Sequence, residues 1–103
     1  MTGGGPGPRP EPRSNCASLR ERTTLNSVDP TAVNLLSTGT ILDVRANSPT
    51  GPLVATLNQG QIVGSVTSAS AARILECIEE GYEFVAEVQQ VNGGQVVVLI
   101  RPR

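Results

Sequence analysis

Few side chains in this sequence could do chemistry, and they form no catalytic pattern. There is no histidine among the 103 residues, so the commonest general base is missing. Cys16 and Cys77 stand apart, without the CxxC spacing that zinc ligands show. Cys77 has a basic neighbour only in Arg73, four positions earlier, and we therefore interpret it as an inert structural thiol. We predict no catalytic residue, no metal site and no cofactor.

An acidic cluster in the second half of the chain is the other candidate for chemistry. Paired carboxylates can act as general acid and base. A charged outer face of a helix explains the cluster with fewer assumptions, and we predict that the protein is not an enzyme. The members of the cluster are Glu76, Glu79, Glu80 and Glu83.

The charge of the chain excludes a strongly basic nucleic-acid-binding protein. All eight basic residues are arginines, and the formal net charge is −1. Residues 29–103 carry a net charge of −3, from four arginines and seven acidic residues, whereas residues 1–28 carry +2. A short cationic front end adds only weak, salt-sensitive attraction to phosphates, so any nucleic-acid binding must come from a local arrangement of side chains.

Composition divides the chain into two parts. Residues 1–28 form a Gly/Pro/Arg-rich tail that buries too little apolar surface to fold, so we expect it to be disordered. Residues 29–103 are predicted to form a single small α+β domain. We expect no bridge between Cys16 in the tail and Cys77 in the domain, and the cytoplasm is the predicted compartment. No apolar run has the roughly 20 residues of a membrane span, and we expect no secretory signal.

One amphipathic helix organises the predicted domain. Apolar side chains recur at helical spacing from Ala71 to Ile78, and Gly81 is a typical C-terminal stop. A second, short helix is expected after Asp29, which is followed by proline. Gly64, inside the strand that precedes the main helix, predicts a bulge or a close approach of another backbone.

The remaining periodicity is that of strands joined by hairpins. Turn residues predict hairpins at 58–61 and 92–94. Tyr82 and Phe84 are expected on the core-facing side of the strand that follows the main helix. The resulting order is β-β-β-α-β-β, which we interpret as a small curved antiparallel sheet or partly open barrel with the helix across one opening. The predicted strands cover residues 40–46, 53–57, 61–66, 82–91 and 96–100.

The stretch from residue 60 to residue 88 resembles the latter part of a HIRAN domain. The similarity lies in a G-x-x-V-G-x-V turn, a helix that begins near A-A-x-x-L, a glycine after the helix, and an F-x-A-x-V strand. Upstream, Arg45 fits the arginine that opens the family's most diagnostic segment, but the acidic residue of that segment is missing. The matching positions are Gly60, Val63, Gly64, Val66, Ala71, Leu75, Ile78, Gly81, Val85, Ala86 and Val88.

This resemblance implies an OB-like, non-catalytic module that grips single-stranded DNA. We therefore predict weak single-stranded nucleic-acid binding through the loop at 45–52 and nearby arginines. The alternative is a small protein-interaction or assembly subunit that uses a sheet edge and could be a homodimer. The predicted nucleic-acid-binding residues are Arg45, Asn47, Arg73, Arg101 and Arg103.

Overall fold

A computed structural model describes residues 16–48, 52–58 and 60–103 of the chain. The sheet is curled, antiparallel and six-stranded, forms half of a barrel, and is accompanied by two helices. The α+β class and the curved antiparallel sheet agree with the prediction from sequence. The elements in chain order are β1 (Glu21–Thr24), α1 (Pro30–Val33), β2 (Ile41–Ala46), β3 (Leu53–Thr56), β4 (Ile62–Val66), α2 (Ala71–Glu79), β5 (Phe84–Asn92) and β6 (Gln95–Pro102).

The helix α2 forms and ends as its sequence predicts. Its apolar stripe faces the inside of the sheet, where Ile74 and Cys77 are fully buried. Gly81 has a φ of +106°, a conformation that is sterically unfavourable for other residues but not for glycine, which has no Cβ. The Gly81 amide donates to the Ile78 carbonyl and the Tyr82 amide donates to the Cys77 carbonyl, a pair of bonds that satisfies the last helical carbonyls.

The spatial order of the strands is β1-β6-β5-β2-β3-β4. β5 and β6 are joined by a tight hairpin in which Gly93 has a φ of +64°, as expected from Asn-Gly-Gly. β6 lies between β1 and β5, so it is a central strand, as its apolar sequence predicts. Val96, Val98 and Ile100 are buried in the core, whereas the alternate residues are half-buried on the other face. Alternate residues of the strands point into one core. This core includes Leu42, Val44, Leu53, Ala55, Phe84, Ala86, Val88, Val96, Val98 and Ile100.

The front of the chain differs from the prediction of a disordered tail over 1–28. Residues 1–15 lie outside the described residues, but the chain from Cys16 onward is part of the fold. β1 pairs antiparallel with β6, so the order is β-α-β-β-β-α-β-β rather than β-β-β-α-β-β. The segment then continues to the opposite side of the sheet, where Asn26 and Ser65 exchange backbone hydrogen bonds of 2.9 and 2.7 Å. Residues 16–28, here called the seam segment, therefore pair with β6 at one edge of the sheet and with β4 at the other.

Gly64 is where the seam segment comes closest to the sheet. A Cβ at this position would lie 3.0 Å from the Asn26 carbonyl oxygen and 3.1 Å from the Leu25 Cβ. The predicted close backbone approach at Gly64 is confirmed. Because only glycine leaves this space, the sequence of β4 is adapted to the segment that covers it.

Polar contacts explain why β1 docks although its sequence is not apolar. The Ser68 hydroxyl donates to a Glu21 carboxylate oxygen at 2.5 Å, just before α2 begins. A carboxylate near the start of a helix also interacts favourably with the helix dipole. Asn26 and Thr67 form a further side-chain hydrogen bond. Backbone pairing with β6 holds the strand, and these side-chain hydrogen bonds to the turn before α2 add to it. A search for alternating apolar residues detects neither contribution.

A disulfide joins the seam segment to the helix. Cys16 and Cys77 are both fully buried and their sulfur atoms are bonded, with the two Cα atoms 5.7 Å apart. The prediction that these residues form no bridge, and that Cys77 is a free structural thiol, is therefore wrong. That prediction placed Cys16 in a disordered tail, whereas it lies in a short turn just before β1, beside α2.

Candidate binding surface

Arg45 lies near the end of β2, on the outer face of the sheet, which is the face turned away from the core. Its neighbour Val44 points into the core, so Arg45 points outward, opposite Val54 of β3. The Arg45 side chain is exposed and has no hydrogen bond or ion pair with the described residues. A guanidinium without a partner offers its full set of donors to a ligand.

Two clefts lie on either side of Arg45, and both include it in their walls. The first, which we call the Thr56 cleft, has a volume of about 260 Å³ and no carboxylate among its described lining residues. It contains the predicted site residue Asn47 as well as Arg45. Its described lining is Arg45, Ala46, Asn47, Val54, Thr56, Gly60 and Ile62.

The second, which we call the Tyr82 cleft, has a volume of about 240 Å³. Tyr82 precedes β5 and is 38% exposed, so the prediction that it faces the core is wrong, whereas Phe84 is buried as expected. The reason is that the glycine turn after α2 continues through Tyr82, and the core-facing alternation begins only with the strand at Phe84. The cleft is lined by Asp43, Val44, Arg45, Ile78, Tyr82, Glu83, Phe84 and Arg103.

Arg103, another predicted site residue, lines the Tyr82 cleft but is already paired. Its guanidinium contacts the Asp43 carboxylate, and its Nε lies 3.2 Å from a Glu83 carboxylate oxygen. The Arg103 amide also donates to the Glu83 carbonyl at 2.8 Å. These contacts fix the C-terminus beside the start of β5, and they leave Arg103 with less capacity for a ligand than Arg45 has.

The last two predicted arginines are not part of either cleft. Arg101 lies on the same outer face, on β6, and its Nε is 3.5 Å from a Glu87 carboxylate oxygen. Arg73 lies on α2, on the opposite side of the sheet, and its Nη1 is 3.4 Å from a carboxylate oxygen of Glu76. The structure therefore brings together Arg45, Asn47 and Arg103, with Arg101 on the same face, but not Arg73.

The sheet edges bear on the predicted alternative, in which a partner strand adds to an edge. The outer edge of β4 receives the hydrogen bonds of Asn26 and a further bond of 2.8 Å from the Asp29 amide to the Val63 carbonyl. The side chains at 67 and 68 contact the seam segment. A partner strand would have to displace residues 26–29 before it could pair with β4.

Comparisons with known proteins identify the fold and no more. No family model matches the chain, and no curated protein is detectably similar in sequence. A crystal structure of a Lactobacillus plantarum protein, a structural genomics target, is similar with a TM-score of 0.67 and 13% sequence identity. The similarity covers 80% of this chain and 91% of that one. At this level of identity the two proteins share a fold, and a shared fold does not define a function.

Neither of the helices in the described part of the chain has the length and apolar character needed to cross a bilayer. The longer one, α2, has nine residues, whereas a spanning helix needs about 20.

Proposed function

We propose that the protein is a non-catalytic binding module that engages single-stranded nucleic acid through Arg45 and the two clefts beside it. The observation that supports this proposal most is the exposed guanidinium of Arg45, which lies between two small clefts and has no partner among the described residues. Each cleft is smaller than the roughly 300–1,000 Å³ of a typical small-molecule pocket. Two such spaces on either side of one cation suit consecutive units of a chain-like anion better than one compact ligand.

Tyr82 adds the second feature that single-stranded nucleic acid requires. Aromatic rings stack on bases, and a cationic groove that follows the backbone supplies the remaining attraction. Tyr82 is the one described aromatic residue that is exposed, and it lines a cleft together with Arg45. The described residues that line the two clefts include one arginine without a partner and one exposed ring, so we expect weak binding that falls with rising salt.

The resemblance to HIRAN domains supports this proposal, and membership of that family is itself part of the proposal. The matched stretch of residues 60–88 forms β4, α2 and the first half of β5, and it contributes residues to the walls of both clefts. Arg45, which fits the opening arginine of the family's upstream segment, is the residue shared by both clefts.

The disulfide supports a different compartment from the cytoplasm. Buried disulfides persist in oxidising surroundings such as the periplasm or the cell exterior, and are rare in reducing ones. We therefore propose that the protein acts in an oxidising compartment.

Protein interaction is the second candidate function, and a partner would cover exposed apolar side chains of the surface. Leu35 is 60% exposed, and Ile41 and Ile62 are each 41% exposed. A homodimer that covers such side chains would not need a free strand edge. Sedimentation that shows a concentration-independent dimer, with no nucleic-acid binding at low salt, would favour this candidate.

The test of the first candidate is fluorescence anisotropy with a labelled single-stranded oligonucleotide. We expect binding at low salt, and the Arg45→Ala variant should bind more weakly and lower the salt slope by about 0.7, the value for one phosphate contact on a single strand. The matched control is Arg22→Ala, because Arg22 is also exposed and unpaired among the described residues but lines neither cleft. Equal losses in both variants would contradict a specific role for Arg45.

A further inference from the structure

Thr56 is the one buried polar side chain in the described part of the chain, and its hydroxyl is unpaired. The residue is 2% exposed, and Oγ1 has no hydrogen-bond partner among the described residues. Buried hydroxyls are normally paired, so an unpaired one costs free energy and calls for an explanation. A functional role, a bound water or a bound ion are among the explanations for such an atom.

The backbone directs Thr56 away from the core and into the Thr56 cleft. Ala55 belongs to the core, so the next residue of β3 points to the opposite face. The register between β3 and β4 shifts between Ala55 and Thr56, where Thr56 lies opposite Ile62. Irregularities of this kind re-aim side chains next to functional sites. Thr56 thereby lines the same cleft as Arg45 and Asn47.

The donors around this cleft match the oxygens of a phosphate. Arg45 supplies planar N–H groups that fit a phosphate in bidentate fashion, Thr56 supplies a hydroxyl and Asn47 supplies an amide. The described lining has no carboxylate to repel an anion. The Tyr82 cleft differs, since Asp43 and Glu83 are in its wall and disfavour a phosphate there.

We propose that the Thr56 cleft is a phosphate-binding subsite, in which Thr56, Arg45 and Asn47 donate to the phosphate oxygens. The Tyr82 cleft then receives the adjoining base, because it has the aromatic ring and the carboxylates. This assignment rests on the proposed function for the source of the phosphate, which is the backbone of a nucleic-acid strand. The chemistry of the subsite itself requires only an anion with several acceptor oxygens.

The test compares Thr56→Val, which removes the hydroxyl and keeps the shape, with Thr56→Ser, which restores a hydroxyl. Inorganic phosphate is titrated into ¹⁵N-labelled protein at constant ionic strength, and each variant is also unfolded in urea. We expect shifts at residues 45, 47 and 56, about tenfold weaker phosphate binding in Thr56→Val, and recovery in Thr56→Ser. We also expect Thr56→Val to unfold at a higher urea concentration than the unaltered protein, because an unpaired buried hydroxyl has been removed.

Two results would overturn the subsite. One is phosphate binding that is equal in Thr56→Val and the unaltered protein. The other is a Thr56→Val variant that unfolds at a lower urea concentration, since the hydroxyl would then be paired in the free protein.

A single-stranded oligonucleotide as a second probe separates this inference from the proposed function. If phosphate binding depends on Thr56 but the oligonucleotide binds no tighter than free phosphate, the subsite stands and nucleic-acid binding fails. If the oligonucleotide binds equally well with Thr56→Val and loses affinity only with Arg45→Ala, nucleic-acid binding stands and the subsite fails.

Discussion

The disulfide between Cys16 and Cys77 should contribute a large share of the free energy of unfolding of this small domain. The bond closes a loop of 61 residues, and the chain-entropy model gives a stabilisation of about 4 kcal/mol for a loop of this length. Domains of this size are stable by only about 5–15 kcal/mol in total. Loss of the bond should therefore lower the melting temperature by roughly 15–30 °C.

A double-mutant cycle tests whether the bond itself carries this stability. We expect Cys16→Ala, Cys77→Ala and the double variant each to lose about 4 kcal/mol relative to the oxidised protein, because any of the three changes removes the same bond. The assay is urea unfolding followed by far-ultraviolet circular dichroism. The unfolding slope should also rise in all three, since the unfolded chain without the bridge exposes more surface.

The cycle also defines what would refute the reasoning. If the two single losses add in the double variant, the cysteines contribute by separate packing and not through a bond. Two reactive thiols in the protein unfolded without reductant would contradict the bond directly. Reduction should first expose the seam segment, so the amides of Leu25 and Asn26, which donate to Val96 and Ser65, should exchange faster than those of α2.

Two glycine substitutions test the backbone account of the fold. Gly64→Ala should destabilise the protein by about 1–3 kcal/mol in urea unfolding, because its Cβ would press on the Asn26 carbonyl oxygen; Gly94→Ala, with nothing within 4 Å, is the neutral control. A neutral Gly64→Ala would mean that the seam segment does not pack on β4. Gly81→Ala should cost about 1–2 kcal/mol from backbone conformation alone, since its φ is +106° and a Cβ there meets nothing within 4 Å; an unchanged midpoint would contradict the helix ending described above.

The central part of the fold could be predicted because its signals are local. The stripe from Ala71 to Ile78 and the stop at Gly81 define α2 without knowledge of any distant residue. The hairpin at Gly93 and the close approach at Gly64 follow from the conformational freedom of glycine. In each case a short stretch of sequence carries the whole physical cause.

The seam segment could not be predicted because its stability comes from distant partners. β1 reads Glu-Arg-Thr-Thr, and the side chain of Glu21 is satisfied by Ser68, 47 positions away. The disulfide was missed for the same reason, because Cys16 comes near Cys77 only when β1 is paired with the sheet. A short polar strand at the border of a Gly/Pro-rich tail offers no pattern that distinguishes it from the tail.

Only part of the candidate site could be predicted, because the rest depends on contacts between distant residues. Arg45 and Asn47 were predicted from the resemblance of the segment 45–52 to part of the HIRAN family, and the structure puts both in the Thr56 cleft. Arg73 and Arg101 were included for their charge alone, and each has an acidic partner. Thr56 and Tyr82 were missed. The unpaired hydroxyl of Thr56 and the exposure of Tyr82 both depend on the three-dimensional arrangement.

The most direct test of the central claim is a nuclear magnetic resonance titration of the oxidised protein with a single-stranded oligonucleotide at low salt. We expect the largest shifts at Arg45, Asn47, Thr56 and Tyr82, and we expect them to diminish as salt is added. Shifts confined to α2 or to the exposed Leu35, or no shifts at any salt concentration, would contradict the claim.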